Sequence, residues 1–309
     1  MNILITGGAG FVGSHLTDLL IRNGHKVTVI DNFSYGRKSL LPVSDRLTVF
    51  EGDILDSDFL NSVFSHTAYQ LIFHLAAIHH IPTCENDPAT AIRTNIEGTQ
   101  RVLEAAVIAG IPKIVFASSG AVYDTVDIPL AEDSTPIVAH DIYSITKLAG
   151  EHLLRLQAER GRLTAVACRL FNTVGSHETN EHLVPDILKQ VKKGVEVIQL
   201  GNLTPLRSYI HVKDVAEGFY AAGTSSFENT FETINIGTET EHSVVDILEL
   251  IAEISARPLK ALQDPSKVRK VDRPRQFASI EKTTRLTGWH PKRTLKEALT
   301  DAYIESLNG

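Results

Sequence analysis

Six short apolar runs punctuate the first half of the chain, at residues 3–6, 27–31, 47–51, 71–76, 114–118 and 165–170. Val, Ile and Leu dominate them, without the alternation of a half-exposed strand. That is the pattern of strands buried on both faces of a parallel sheet. Between them, apolar positions recur at helical spacing. Residues 11–23 carry Leu16, Leu19 and Leu20 on one face and stop at Gly24. Residues 89–109 carry a similar stripe and stop at Gly110, with Pro112 beyond. A third stripe begins near Tyr143 and continues through 151–157. Glycine just past the last periodic residue is a helix stop. Strand and helix in alternation predict an α/β fold, a doubly wound parallel sheet with helices on both faces.

Past residue 169 the texture changes. Turn signals become denser, as at Gly201-Asn202 and Asp272-Arg273-Pro274, and helices are expected at 183–193, 244–256 and 295–307. The pattern predicts a first domain over 1–169 and a smaller α/β lobe over 170–309, packed on it, with some segments returning to the first domain.

Composition narrows the function classes. The chain has 309 residues, 43% of them hydrophobic, enough for a sizeable core. Its net charge is −7, so it offers no basic face for nucleic acid. No apolar run approaches the ~18 residues of a membrane span, and Met1-Asn2 runs straight into the first apolar segment with no leader-like stretch. A soluble, cytoplasmic protein without a membrane partner is expected. Cys84 and Cys168 lie far apart and outside any CxxC, which supports neither a disulfide framework nor structural zinc. Thirteen histidines include the adjacent His79 and His80 but no HExxH, so no metal site is expected.

The strongest local chemistry is Thr6-Gly7-Gly8-Ala9-Gly10-Phe11-Val12-Gly13, which follows a predicted strand and opens a predicted helix. Gly8, Gly10 and Gly13 satisfy GxGxxG; Gly7, Gly10 and Gly13 satisfy the wider GxxGxxG. Without side chains, backbone amides approach a pyrophosphate, and the helix N-terminus adds its positive end. This is the dinucleotide-binding turn of a Rossmann fold. The second strand ends in Asp31, able to bond both adenosine-ribose hydroxyls and to repel a 2′-phosphate. Asn32 follows where an NADP enzyme would carry Arg, so NAD is the expected cofactor. Asp53, at the end of the third strand, is placed to meet the adenine amino group.

Tyr143-Ser-Ile-Thr-Lys147 puts a phenol and an ammonium on one helical face. The ammonium is expected to lower the phenol's pKa. Upstream, the fifth strand ends in Ser118-Ser119. A hydroxyl there reaches the same substrate oxygen that Tyr143 would deprotonate. The set reads as a hydroxyl-to-carbonyl oxidation site, with Tyr143 as base and acid, Lys147 as its tuner and Ser119 as orienter.

These segments resemble the extended short-chain dehydrogenases/reductases, and within them the NAD-dependent nucleotide-sugar epimerases and dehydratases. The resemblance rests on TGGAGFVG, Asp31-Asn32, Gly52-Asp53, His74-Leu75-Ala76-Ala77, Asn95, SSGAVY over 118–123, and YSITK. It continues through Arg169-Leu-Phe171-Asn172-Thr-Val-Gly175, Arg207 to Asp214, Arg273-Pro274 and Gly288-Trp289-His290-Pro291. It implies NAD as cofactor, meeting Gly7, Gly10, Phe11, Val12, Gly13, Asp31, Asn32, Asp53, Ile54, Leu75, Ala76, Ala77, Asn95, Ser118, Tyr143, Lys147 and Phe171. It implies a UDP-sugar as substrate, meeting Ser119, Asn172, Thr179, Asn180, Leu183, Arg207 and Arg273. A homodimer through the helices at 89–109 and 143–157 is also implied.

The family opens several reactions with the same oxidation at sugar C4. A 4,6-dehydratase then needs an acid/base pair after the serine, and the decarboxylating branch a Glu. Here those positions are Gly120 and Ala121, so a 4-epimerase of the glucose/galactose type is expected first. A uronate 4-epimerase ranks next, because from 172 to 187 the only basic candidates to meet its carboxylate are His177 and His182, although Thr179, Asn180 and a histidine could also bind it. A dehydratase, a net reductase and a non-catalytic NAD-sensing scaffold stand behind them. The chain departs from the pattern at Cys84, where relatives often have Ser, at Ser208 and Arg275-Gln276, and in a wall of His79, His80 and Pro82 beside the expected nicotinamide pocket.

Overall fold

All six apolar runs are strands of one parallel sheet in the computed structural model, which describes residues 1–178, 180, 182–268 and 273–308. The sheet has seven strands in the order Phe231–Ile236, Thr164–Leu170, Lys113–Ser119, Leu71–His74, Asn2–Thr6, Lys26–Asp31, Leu47–Glu51. Successive residues of a strand feed opposite cores. Ile3 and Ile5 pack with Leu16, Leu20, Phe73 and Phe219 on one face. Leu4 packs with Ile30, Leu60, Val102, Leu103 and Leu154 on the other. Burial on both faces is why the five inner runs show no polar alternation, whereas Leu47–Glu51 lies at the sheet edge with Thr48 and Glu51 exposed.

The direction of strand addition reverses between Asn2–Thr6 and Leu71–His74, and such a switch point opens a crevice at the C-terminal ends of the strands. Helices Phe11–Arg22 and Val212–Thr224 cover one face; Ser57–Phe64, Gly98–Ile108 and Ile142–Glu159 cover the other. The expected helix over 89–109 is interrupted. Pro88–Ile92 and Gly98–Ile108 flank a π-helical turn at Arg93–Glu97. Such turns recur at functional sites.

Strand Phe231–Ile236 and helix Val212–Thr224 lie late in the chain yet belong to the central layers. Gly218 and Gly223 let that helix sit close: added Cβ atoms would stand 2.9 Å from Ile236 and 2.6 Å from Phe73. Asp214, fully buried, accepts from the Lys292 and Arg293 amides and pairs with the Arg293 guanidinium. The Trp289 indole donates to the Asp214 carbonyl at 3.1 Å. The late Gly-Trp turn is thereby fixed to the helix.

A separate core gathers helices Leu183–Lys192, Val244–Ser255 and Leu295–Asn308 around Ile187, Leu188, Ile247, Leu248, Ala298 and Leu299. Strands Asn172–Val174, Leu206–His211, Glu241–His242 and Arg275–Gln276 form its small sheet. This lobe closes one side of the crevice. Among the described residues, no helix is long and apolar enough to cross a membrane.

Candidate active site

A cleft of about 1200 Å³ runs along the C-terminal ends of the strands and under the second lobe. That exceeds the ~300–1,000 Å³ of a single small-molecule pocket and leaves room for a cofactor and a substrate together. Its first wall is the glycine turn. Gly7 has φ +73°, and a Cβ there would stand 2.7 Å from the Ala76 amide nitrogen. A Cβ on Gly13 would stand 2.1 Å from the Gly7 carbonyl oxygen. Gly10 caps helix Phe11–Arg22 without a side-chain acceptor, so the first helical amides remain available to a ligand. Gly8 does not line the cleft; a Cβ on it would press on Val29 at 2.6 Å. Of the two overlapping patterns, 7/10/13 forms the cradle and Gly8 serves packing.

Asp31 closes this end of the cleft. Its carboxylate accepts from the Ala9 and Phe33 amides, each at 2.9 Å. Burial pushes the carboxyl above its ordinary range, and the two amides pull it back. Asn32 donates to Asp53 at 2.9 Å, and Asp53 also accepts from the Leu55 amide. The cradle that side chains would fill, the open helix N-terminus and the ribose-side carboxylate together fit a dinucleotide with a free 2′-hydroxyl.

The reactive groups stand beyond this cradle. Ser119, at the end of its strand, accepts from the Ala121 amide at 3.1 Å, and its hydroxyl is near enough to the Tyr143 phenol to draw the phenol's pKa down. Helix Ile142–Glu159 opens on an Asp141/Ser144 capping box, which fixes Tyr143 in its first turn. Lys147 is buried and donates to the Ala117 carbonyl at 2.7 Å. Its Nζ lies 5.7 Å from the Tyr143 ring centroid. The expected lowering of the phenol is not found in this state. Burial pushes Tyr143 above its ordinary range, with Ser119 offsetting part of the push. Burial also lowers Lys147 to about 8. Desolvation outweighs the ammonium, which is anchored on a carbonyl and not on the phenol.

A buried polar chain supports these groups from behind. Ser118 donates to Glu151, which accepts a bidentate pair from Arg169 at 2.8–2.9 Å. The Arg169 guanidinium lies 4.7 Å from the centroid of the Tyr123 ring, and the Tyr123 hydroxyl donates to Asn235 at 2.7 Å. Asn95, on the π-helical turn, accepts from the Ile78 amide and donates to the Ile78 carbonyl and the Thr146 hydroxyl. It clamps the loop after Leu71–His74 to the Tyr143 helix.

Most of the expected site residues line the cleft: Gly7, Gly10, Phe11, Val12, Gly13, Asp31, Asn32, Asp53, Ile54, Leu75, Ala76, Ala77, Ser118, Ser119, Tyr143, Lys147, Phe171, Asn172, Leu183 and Arg207. Three described residues stand behind its surface: Asn95, Asn180 and Arg273. Asn180 contacts His79 at 3.0 Å, and Arg273 donates to the Ala121 carbonyl at 2.8 Å. Thr179 lies outside the described residues. Phe171 occupies the space above Gly120, where a Cβ would come within 3.0 Å of its ring. Cys84 is buried with its thiol against the Ile78 carbonyl. Arg275 pairs with Glu241 and Asp127, and Gln276 lines the cleft.

Sequence spacing had pointed away from any metal-ligand cluster. The structure nonetheless brings His79, Glu178 and His182 together along the cleft wall, with one ligand atom of each within 4.8 Å of the others. Burial lowers His79 to about 4. Burial pushes Glu178 up, but its hydrogen bond to His182 leaves it below the usual carboxylate range. Tyr209, Lys189 and Lys192 also line the cleft and carried no local motif.

The family model described as "NAD dependent epimerase/dehydratase family" matches residues 3–237. The UDP-glucose 4-epimerase of Corynebacterium glutamicum is 31% identical over 98% of this chain and 95% of its own. Among solved structures, a UDP-glucose 4-epimerase from Thermotoga maritima with UDP-glucose superposes with a TM-score of 0.91 at 29% identity, over 100% of this chain and 99% of that one. MoeE5 in complex with UDP-glucuronic acid and NAD gives a TM-score of 0.89 at 27% identity, over 100% and 99%.

Proposed function

The chain belongs to the NAD dependent epimerase/dehydratase family, and from that premise we propose that it is an NAD-dependent 4-epimerase of a UDP-sugar of the glucose/galactose type. One observation carries the choice of reaction. Ser119, Tyr143 and Lys147 converge at the end of the cleft, while the next positions, Gly120 and Ala121, offer no proton-transfer group and Phe171 fills the space above Gly120. The site is equipped to oxidise and reduce an alcohol and lacks, at that position, a group to move a second proton. The relatives named UDP-glucose 4-epimerase support the same reading.

The cradle formed by Gly7, Gly10, Gly13, Asp31 and Asp53 would hold NAD, which when bound supplies the site that takes hydride from sugar C4 and gives it back. Tyr143 accepts the proton of the 4-hydroxyl as the C4–H bond is broken, and returns it after the ketone has presented its other face. Ser119 orients that oxygen and favours the phenolate. Lys147 sets the positive potential of the pocket. The phenol starts above its ordinary range, so the base form gains from the positive charge of oxidised NAD. On the substrate side, Arg207, Lys189 and Lys192 supply cationic groups for a diphosphate, and Asn172 lines the same half.

Assembly as a homodimer belongs to the same proposal. Ile92, Ile145 and Leu156 are exposed on the helical layer formed by Pro88–Ile92 and Ile142–Glu159. Light scattering should return twice the 33.9 kDa of one chain. A cytoplasmic setting suits the free thiols of Cys84 and Cys168. The substrate is tested by incubating the NAD-loaded protein separately with UDP-glucose and UDP-glucuronate and resolving the products by proton NMR. Formation of UDP-galactose from the first is expected. Conversion of UDP-glucuronate alone would reassign the substrate to a hexuronate, which MoeE5 binds as well as UDP-glucose.

A further inference from the structure

His79, Glu178 and His182 take no part in the reaction described above, yet their candidate ligand atoms lie within 4.8 Å of one another. Each side is held on its own mount. His79 follows Ile78, whose amide and carbonyl are both clamped by Asn95 at 2.8 and 2.9 Å. His80 then caps helix Ile81–Asn86, with its ring bonded to Thr83 at 2.9 Å. On the other side, Glu178 follows His177, a non-glycine residue at φ +71°. Such a conformation persists only where neighbours over-determine it. Here the His177 amide donates to Glu305, its ring meets the Ser14 hydroxyl at 3.0 Å, and His15 holds the Ser176 carbonyl at 3.0 Å. The Asn180 amide orients the Glu178 carboxylate at 3.1 Å. His182 caps helix Leu183–Lys192, which fixes its backbone.

We propose that His79, Glu178 and His182 form a divalent-cation site of the zinc class, which bridges the two sides of the cleft at its sugar end. Two imidazoles and one carboxylate are the donor set of open, three-ligand zinc centres, in which the fourth position is left to water or substrate. Nitrogen donors select against Mg²⁺ and Ca²⁺, which prefer all-oxygen shells. Donor atoms around a tetrahedral zinc stand about 3.4 Å apart. The cluster therefore closes by side-chain rotation, with His79 exchanging its 3.0 Å contact with Asn180 and His182 its 3.4 Å contact with Glu178 for the cation. All three ligands line the cleft, so the open position faces whatever the cleft binds. One ligand comes from the parallel-sheet layer and two from the segment leading into the second lobe, so the ion would tie the lobe to the sheet. The ligands are different side chains from Ser119, Tyr143 and Lys147 in the same cleft, and the existence of the site does not depend on which sugar is epimerised.

The test uses the full-length, NAD-loaded protein. It is stripped with a chelator, reconstituted with Zn²⁺ or Co²⁺ and desalted, and the retained metal is measured by mass spectrometry. We expect about one ion per chain, the visible absorption of a four- or five-coordinate Co²⁺, its loss on adding Zn²⁺, and a higher Tm in the zinc-loaded form. Glu178→Gln and His182→Ala, checked to keep bound NAD and the wild-type circular dichroism, should lose the stoichiometric ion, the Co²⁺ band and the Tm shift. A wild-type protein that retains no ion would overturn the proposal, whatever the variants do. Equal retention in wild type and both variants would overturn it as well, leaving the cluster a hydrogen-bonded wall of the cleft.

Discussion

Gly13→Ala tests the cofactor cradle most sharply, because its cost follows from named contacts. The added methyl would stand 2.1 Å from the Gly7 carbonyl oxygen and 2.8 Å from Gly8 Cα, both backbone atoms that cannot rotate aside. Restoring van der Waals contact needs a displacement of roughly 1 Å. That displacement separates the Gly7 turn from helix Phe11–Arg22, the two surfaces expected to grip the pyrophosphate. Overpacking of this kind costs about 1–3 kcal/mol, and NAD affinity should fall by about 5- to 150-fold if the bound geometry bears it. Gly24→Ala is the control. Gly24 has φ +81° with nothing within 4 Å of its added Cβ, so it bears local strain alone. Roughly 1–2 kcal/mol of stability should be lost there, with no change in NAD binding. The assay is cofactor content after acid release, followed by NAD titration of stripped protein, alongside urea unfolding. Gly13→Ala binding NAD as tightly as wild type would refute the cradle. An equal loss of NAD in Gly24→Ala would show the effect to be general destabilisation.

Three further outcomes follow from the same structure. Tyr143→Phe should lower turnover by about 100- to 10,000-fold while NAD stays bound, measured by coupled detection of UDP-galactose; near-normal turnover would remove Tyr143 from proton transfer. Glu151→Gln leaves the Arg169 guanidinium, 4% exposed, without its anion, and should cost about 3–5 kcal/mol in urea unfolding; a change within error would mean that Tyr123 and the substituted amide hold Arg169 without an anion. Burial depresses His15 and His74 from 6.5 to about 4 and 3, so each is neutral in the fold and takes a proton more readily when unfolded. Their contribution is complete above pH 6.5 and is lost as pH falls towards those values, at about 1.4 kcal/mol per pH unit for each. His74→Asn should flatten that slope by one histidine's share, and parallel slopes would contradict the assignment.

Five of the first six strands were legible because burial on both faces left them largely apolar, and the edge strand Leu47–Glu51 because Leu47, Val49 and Phe50 stay half-buried. The seventh, Phe231–Ile236, was not, because Glu232, Thr233 and Asn235 break its run. Asn235 is spent on Tyr123, Glu132, Leu130 and Ser279, and Glu232 on Lys282. Those partners are distant in sequence, so no local pattern announces them. Helix Val212–Thr224 was hidden by Gly218 and Gly223, which lower helix propensity but permit close packing on the sheet. In the site, Gly7/Gly10/Gly13 and Tyr143/Lys147 were readable because turn and helix geometry convert fixed spacing into proximity. The cluster of His79, Glu178 and His182 was not, because its halves lie about a hundred residues apart and only the closure of the second lobe unites them. The protonation balance of Tyr143 and Lys147 was also out of reach, since burial sets it.

In the proposed reaction one hydride leaves and returns to the same carbon. UDP-glucose carrying deuterium at C4 is converted by the purified protein in ordinary water, and the UDP-galactose formed is analysed by NMR and mass spectrometry. The product should retain its deuterium at C4, with no solvent hydrogen entering at C3 or C5 when the solvent is changed to D₂O. Loss of the C4 label, or solvent deuterium at C5, would contradict it and require proton transfers for which Gly120 and Ala121 supply no group.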